Sequence, residues 1–378
     1  MTLLLDKYTK KDDEEGDFVD IALENLREYG LNTLQNMGNT CYFNTANQLL
    51  IVCIRELTLY FLNGEFKHDF NIEDPKDQVE MSLQYYKIVK ALWEDPLDKV
   101  ITVRPTSFKK VFDYFYPQFK GYGQHDCQES LSALIDLLHT GLSYGVEILT
   151  TGVVKTEKDK LAVEAIKEWN LFYGKEYSIL VKLLYGQDHT RLKCLSCGNQ
   201  QHKFEPFNVI TLPIPDKPDG RNTTIYDCLD EYTKDEKLEE SCYSCSKCGD
   251  KENMTKETTF WSFHESEYLI LSLKRFSAMS GIRKKDDLVE FPIEGLDISE
   301  YISGYKTRCV YDLVGVGNHI SSHMSSGHYY AVCKHLDNEW YHLNDSVRTK
   351  LRIPKIYTVG MPHVIINKNA YILVYKRR

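Results

Sequence analysis

The stretch "LNTLQNMGNTCYFNTANQLLIVCIREL", residues 31–57, decides how the chain begins to fold. Cys41 follows a Gly-Asn-Thr turn and stands directly before an apolar run. The apolar residues recur at the spacing of one helix face: Ala46, Leu49, Leu50, Cys53, Ile54 and Leu57. This pattern predicts a long helix that begins near Cys41. A helix N-terminus favours the thiolate form of cysteine, so this position suits a nucleophile. The alternative is that Cys41 is a packed core residue.

The composition limits what class of protein this is. With 378 residues the chain exceeds what one core of about 100–200 residues needs, so we expect two or three packed lobes. The net charge of −9 argues mildly against a nucleic-acid binder and for a partner with a basic surface. No apolar run is long enough to span a membrane, and the opening residues lack a secretory signal. We therefore expect a cytoplasmic or nuclear protein whose 11 cysteines are reduced.

The secondary-structure signals change along the chain. Residues 1–29 are predicted to form a polar leader. The segment "GQHDCQESLSALIDLLHTGL", residues 123–142, predicts a second helix with its apolar face at Cys127, Leu131, Leu134, Ile135 and Leu138. From about residue 190, short stretches rich in β-branched and aromatic residues follow, such as "FNVITLPIP" and "HYYAVCKH". Helices followed by antiparallel strands predict an α+β fold.

Two Cys-x-x-Cys-Gly motifs, residues 194–198 and 245–249, have the spacing with which two thiolates bind one Zn2+ from a tight turn. The trailing glycine allows a left-handed residue, so that backbone N–H groups point at sulfur. The predicted ligands of this structural zinc site are Cys194, Cys197, Cys245 and Cys248. One alternative is four unrelated reduced cysteines, and another pairs Cys242 with Cys245. A nucleic-acid zinc finger is disfavoured because the chain is acidic and has no basic helix.

Partners for a Cys41 nucleophile are found near the other end of the chain, in residues 318–345. His328 stands where a loop enters a strand, and Asn344 and Asp345 end the next strand. Antiparallel neighbours joined by this connection bring His328 beside Asn344. A side-chain oxygen there can hold one nitrogen of the imidazole while the other ring nitrogen serves Cys41. The order along the chain, Cys then His then Asn or Asp, is the papain-like arrangement. The turn before Cys41, with the amide of Asn36, can supply donors for an oxyanion.

With these residues in view, residues 30–377 resemble the catalytic domain of the ubiquitin-specific proteases, a papain-like family of deubiquitinating cysteine proteases. The matching blocks occur in family order: "GLNTLQNMGNTCYFNTANQ", "GQHDCQESLSALIDLLH", "YLILSLKRF" with "VEFP" and "LDIS", "YDLVGVGNH", "SGHYYAV", "WYHLNDSVR" and "AYILVYKRR". The resemblance implies a catalytic domain over 30–378. Its helical thumb covers about 30–165, its zinc-tipped fingers insertion about 190–265, and its β-rich palm the remainder.

The resemblance also implies residue roles. Cys41 takes the nucleophile position, His328 the general base, Asn344 the residue that orients it, and Asn36 the oxyanion-hole position. Asp345 follows Asn344 in the same motif. The four motif cysteines match the zinc site at the tip of the fingers. Asp126 matches a position that pairs with the arginine-bearing tail of ubiquitin, and three further substrate-binding candidates share the matched motifs: Gln124, Glu129 and Tyr329.

These observations predict a thiol-dependent deubiquitinase. It would hydrolyse the isopeptide or peptide bond after the C-terminal glycine of ubiquitin through a Cys41 acyl-enzyme. The expected partners are ubiquitin, ubiquitinated proteins and an adaptor or activator protein, with no nucleic acid and no membrane. The alternatives are a non-catalytic ubiquitin-binding scaffold, a peptidase for a ubiquitin-like modifier, and a zinc-stabilised binding module. The presence of Cys41, His328 and Asn344 argues against the scaffold.

Overall fold

The computed structural model describes residues 3–7, 21–70, 76–217, 220–238, 244–249, 253–263, 265–276, 284–323, 326–353 and 363–378. Its helices are α1 (Cys41–Gln48), α2 (Arg55–Leu62), α3 (Lys76–Trp93), α4 (Thr106–Phe115), α5 (Cys127–Gly141), α6 (Glu157–Tyr173), α7 (Ile179–Leu184) and α8 (Ile225–Thr233). Its first nine strands are β1 (Leu3–Lys7), β2 (Thr33–Leu34), β3 (Thr102–Val103), β4 (Val146–Thr150), β5 (Gly186–Cys194), β6 (Gln200–Phe207), β7 (Val209–Pro213), β8 (Thr223–Thr224) and β9 (Glu236–Lys237). The others are β10 (Met254–Ser262), β11 (Tyr268–Lys274), β12 (Val289–Glu290), β13 (Leu296–Asp297), β14 (Val310–His323), β15 (Ser326–Lys334), β16 (Trp340–Asn344), β17 (Val347–Lys350) and β18 (Ala370–Arg377).

The largest sheet has the strand order β17-β16-β15-β14-β18-β11-β7, and β13 pairs with β14 beside this path. All its pairings are antiparallel except that of β11 with β7. Side chains alternate between its two faces, as the period of a strand requires. Ile270 and Ile372 pack against the helices, whereas Leu271 and Leu373 belong to a second core on the opposite face. Helices first and mainly antiparallel strands later confirm the α+β prediction.

The helix predicted from Cys41 to Leu57 is two helices. After α1, the π-helical turn Leu49–Cys53 leads to a break at Ile54 (φ −90°, ψ 79°), and α2 leaves at 85° to the preceding segment. Thr58 Oγ1 donates to the carbonyl of Ile51 at 2.6 Å, which satisfies a backbone group near the break. Tertiary packing decides this bend, since all residues of α1 and of the π-turn are buried. Helix α1 packs against α5 and β15, and the π-turn packs against β14 and β15. Among the described residues no single helix is long and apolar enough to cross a membrane; this bent pair passes that test only by combined length and composition.

The second predicted helix is α5, which begins at Cys127 and has its predicted apolar face buried. Asp126 is its N-cap: Oδ1 accepts hydrogen bonds from the backbone N–H groups of Gln128 (2.7 Å) and Glu129 (3.1 Å). Helix α5 packs against α1, and the ring of His125, just before the cap, lies 5.2 Å from that of Tyr42 at the start of α1.

A separate four-stranded sheet, with the order β6-β5-β10-β9, carries the Cys-x-x-Cys motifs at one end. Cys194 ends β5 and pairs with Met254 at the start of β10. At the opposite end of the pair, Gln187 is opposite Ser262.

Part of the predicted polar leader has contacts with the rest of the chain. Residues 3–7 form β1, which pairs antiparallel with β4, and Leu26 is buried in the main core. Residues 8–20 lie outside the described residues.

Candidate active site and cysteine cluster

Cys41 is the first residue of α1 and is almost fully buried, with 4% of its surface exposed. The preceding turn is held by its own side chains. Asn36 Oδ1 accepts from the backbone N–H groups of Gly38 (3.0 Å) and Thr40 (3.1 Å), and Thr40 Oγ1 accepts from Met37 N (2.9 Å). Gly38 has φ +106°, a conformation that favours glycine. The local sequence thus folds into a turn that places the thiol at the N-terminus of a helix.

His328 lies on β15, next to the end of the neighbouring strand β16, as the strand pattern predicts. Its Nε2 is 2.5 Å from Asn344 Oδ1. Because an amide oxygen only accepts, Nε2 carries a hydrogen, and Nδ1 is the nitrogen left for Cys41.

The electrostatics of His328 fit this arrangement. The hydrogen bond with the Cys41 thiol contributes most to raising the pKa of His328 to about 9. Asn344 and the charges of Cys41 and Asp345 add to this rise, whereas partial burial opposes it. His328 is therefore an imidazolium at neutral pH, which is the partner that a thiolate requires.

Asp345 links the two halves of the site. Its Oδ2 accepts from Asn36 Nδ2 at 2.9 Å, its Oδ1 accepts from Asn44 Nδ2 at 2.8 Å, and Oδ2 lies 3.9 Å from His328 Nε2. One N–H of the Asn36 amide, the predicted oxyanion donor, thus points at a carboxylate. Sequence reasoning missed Asn44; the available signal was an amide three residues after Cys41, on the same side of the helix.

The four predicted substrate-binding residues do not share one exposed surface. Asp126 is buried, and its Oδ2 accepts from the hydroxyls of Tyr371 (2.8 Å) and Tyr329 (3.4 Å). Tyr329 is buried as well, and its ring stacks on that of His319 with 4.3 Å between centroids. Gln124 and Glu129 are exposed. Sequence reasoning missed Tyr371, which lies over 240 residues from Asp126, so no local pattern joins them.

The four motif cysteines come together at the tip of the small sheet. Their sulfur atoms all lie within 4.8 Å of one another, and two pairs, Cys194 with Cys248 and Cys197 with Cys245, are 3.6 Å apart. A tetrahedral ZnS4 centre with about 2.3 Å bonds needs sulfur atoms about 3.8 Å apart, so this geometry fits zinc.

The turns of the two motifs are alike. Gly198 and Gly249 have φ +72° and +75°, and the N–H of each bonds to the carbonyl of the first cysteine of its motif at 2.9 Å. Lys247 N donates to Cys245 Sγ at 3.4 Å. Hydrogen bonds from the backbone of Cys248 and Lys247 lower the pKa of Cys245 to about 6, as a metal-binding thiolate requires. Cys242, the alternative partner, lies outside the described residues.

An α+β fold with a cysteine at a helix N-terminus, facing a histidine held by an asparagine, defines the papain-like class of thiol-peptidase folds. The family model for ubiquitin carboxyl-terminal hydrolase matches residues 32–375. The chain belongs to this family, and the predicted family resemblance is confirmed.

Curated relatives support the same family assignment. The chain is 33% identical over 331 residues to human ubiquitin carboxyl-terminal hydrolase 21, covering 83% of this chain and 57% of the relative. It is 30% identical over 352 residues to ubiquitin carboxyl-terminal hydrolase Usp2 of Drosophila melanogaster, covering 92% and 35%. The chain thus spans between about a third and somewhat over half of the length of these relatives.

Solved structures support the fold. The yeast SAGA DUBm with a mutant Sgf73 superposes with a TM-score of 0.68 at 23% identity, covering 93% of this chain and 69% of that chain. The SAGA Ubp8/Sgf11/Sus1/Sgf73 DUB module bound to ubiquitin aldehyde gives a TM-score of 0.67 at 23% identity, covering 93% and 70%.

Proposed function

We propose that this protein is a thiol-dependent deubiquitinase that hydrolyses the bond after the C-terminal glycine of ubiquitin. The observation that carries the proposal is the contact of Cys41 with His328, whose other ring nitrogen is 2.5 Å from Asn344, in a chain of the ubiquitin carboxyl-terminal hydrolase family.

In the first half of the reaction, the Cys41 thiolate attacks the carbonyl carbon of the terminal glycine and forms a C–S bond. The developing oxyanion receives the second N–H of the Asn36 amide, since the first donates to Asp345. His328 then gives its Nδ1 proton to the leaving lysine amine as the C–N bond breaks, which leaves a thioester on Cys41.

In the second half, neutral His328 takes a proton from water, and the resulting hydroxide attacks the thioester. Collapse of the second tetrahedral intermediate breaks the C–S bond and restores the thiolate and the imidazolium. Asn344 holds the ring through both halves because its oxygen bonds to Nε2.

Substrate binding is proposed for Gln124, Asp126, Glu129 and Tyr329. Glu129 is the exposed carboxylate of this set and suits a basic ubiquitin tail, whereas the buried Asp126 would act by holding Tyr329 and the start of α5.

We propose that Cys194, Cys197, Cys245 and Cys248 bind a zinc ion. When bound, the metal would supply a structural cross-link between the ends of β5 and β10, with every coordination position filled by the protein.

The proposed partners are ubiquitin and ubiquitinated proteins. The solved SAGA modules contain other named chains besides Ubp8, which supports the expectation of an adaptor or activator. A cytoplasmic or nuclear location stays a prediction.

The test is mass spectrometry after incubation with ubiquitin that bears a C-terminal electrophile. The wild-type protein is expected to form a one-to-one adduct that Cys41→Ala abolishes and His328→Ala slows. Cys309→Ala, which removes a buried thiol of the second core, serves as the matched control and should label like wild type. Binding of ubiquitin without an adduct would instead support a scaffold. Labelling only by a probe made from a ubiquitin-like modifier would change the substrate.

A further inference from the structure

Asn44 is a buried amide on the same helix as Cys41, three residues later, with 1% of its surface exposed. Its Nδ2 donates to two acceptors: Asp345 Oδ1 at 2.8 Å and the carbonyl of Leu34 at 3.4 Å. Among the described residues its Oδ1 has no hydrogen-bond partner. Burial of a half-satisfied amide is costly. What distinguishes Asn44 is the acceptor of its donor bond, the carboxylate of Asp345.

Asp345 receives one amide on each carboxylate oxygen, Asn44 from the helix of the nucleophile and Asn36 from the turn before it. Its backbone, at φ +48°, is left-handed, and it directly follows Asn344, the partner of His328. The carboxylate therefore lies between the helix of Cys41 and the strand end that holds the imidazole.

We propose that Asn44 is a positioning residue for the hydrolase: its amide fixes the Asp345 carboxylate at a set distance from both His328 and the Asn36 amide. This inference rests on the proposed function. Two consequences follow. The carboxylate, 3.9 Å from His328 Nε2, supports the imidazolium, and it also aims the Asn36 amide towards the oxyanion.

No other charged group in the set that interacts with His328 replaces the Asp345 carboxylate. The titratable groups that interact with it are Cys41, Asp345, His319 and His342. Burial lowers the pKa of both His319 and His342, so they are neutral at neutral pH. Asp345 is therefore the one carboxylate in this set.

The helix offers a matched control. Asn47 is as buried as Asn44, and its Oδ1 also has no partner within the described part of the chain. Its Nδ2, however, donates within the helix, to the carbonyl of Phe43 at 2.8 Å. Asn44→Ala and Asn47→Ala thus remove equivalent buried amides, only one of which contacts Asp345.

The experiment measures kcat and KM on ubiquitin with a C-terminal fluorogenic amide across pH. Asn44→Ala is expected to lower kcat by about 10²-fold with KM changed less than about twofold, because the catalytic groups are misplaced while the substrate surface is intact. The fall of its kcat at alkaline pH (the alkaline limb of the pH profile) should begin at lower pH than in wild type. Asn47→Ala should leave kcat and the limb unchanged.

The double variant Asn44→Ala/Asp345→Ala should be no slower than Asp345→Ala alone, since Asn44 acts through that carboxylate. Additive losses, or equal effects of Asn44→Ala and Asn47→Ala with an unmoved pH profile, would overturn the proposal.

A second measurement does not depend on ubiquitin. The rate of Cys41 alkylation by iodoacetamide, followed by peptide mass spectrometry, reports thiolate reactivity even if the chain hydrolyses no ubiquitin bond. The pH profile of the alkylation rate should change in the same way in Asn44→Ala and Asp345→Ala. It should not change in Asn47→Ala. If the alkylation profile of Asn44→Ala matches wild type, the inference is wrong whatever the substrate.

Discussion

The raised pKa of His328 predicts a high alkaline limit of activity that depends on Asn344. With a pKa of about 9 in place of 6.5, the imidazolium is about nine-tenths populated at about pH 8, against about one-thirtieth for an ordinary histidine. The competent state is thus about 30-fold more populated there. We expect kcat/KM for a ubiquitin C-terminal amide, which reports the free enzyme, to fall only near pH 9.

Asn344→Ala removes the hydrogen bond to Nε2, so its alkaline limb should move to lower pH. Asn344→Asp keeps an oxygen acceptor and adds charge, so its limb should stay at or above that of wild type. Because the folded pKa lies above the ordinary value, the His328 contribution to the free energy of unfolding is complete below about pH 6.5. It is lost as pH rises through about 9.

A direct check is NMR titration of the His328 ring in Cys41→Ala. This variant lacks the largest cause of the shift, so the pKa of the ring should fall towards 6.5. A wild-type limb near pH 6.5, or one that Asn344→Ala leaves in place, would refute the electrostatic reasoning.

Three further predictions concern folding. Asp126→Ala should lower the unfolding free energy by at least about 1–2 kcal/mol in urea titration, because α5 loses its cap and the hydroxyls of Tyr371 and Tyr329 lose an acceptor. Asp126→Asn keeps an oxygen for the cap and should lose less. Cys248→Ser should release the proposed zinc and lower Tm, as a chelator should in wild type; no bound metal in wild type by atomic emission would contradict the site. Gly315→Ala should cost about 1–3 kcal/mol because its Cβ would clash with Cys53 Sγ, and Cys53→Ala should recover part of that loss in a double-mutant cycle.

Residues that depend on local backbone geometry were predictable from the sequence. Cys41 follows a turn that its own side chains close, and Gly198 and Gly249 have the left-handed backbone that the Cys-x-x-Cys-Gly pattern requires. The contact of His328 with Asn344 followed from strand pairing, because the connection between β15 and β16 is short. In each case the interacting groups are close in the chain, or their register is set by a short connection.

Only the tertiary structure decided the break at Ile54 and the hydrogen bonds of Asp126 with Tyr329 and Tyr371. The same holds for the hydrogen bonds that the Asn36 and Asn44 amides donate to Asp345. The helical period continues through Ile54 in the sequence, but the π-turn before it is fully buried and packs against α2, β14 and β15, so the bend depends on tertiary packing. The two Asp345 bonds join residues about 300 positions apart. The sequence determined the reactive groups and their immediate turns. Their long-range partners depended on packing, because no local periodicity records which side chains meet across a folded core.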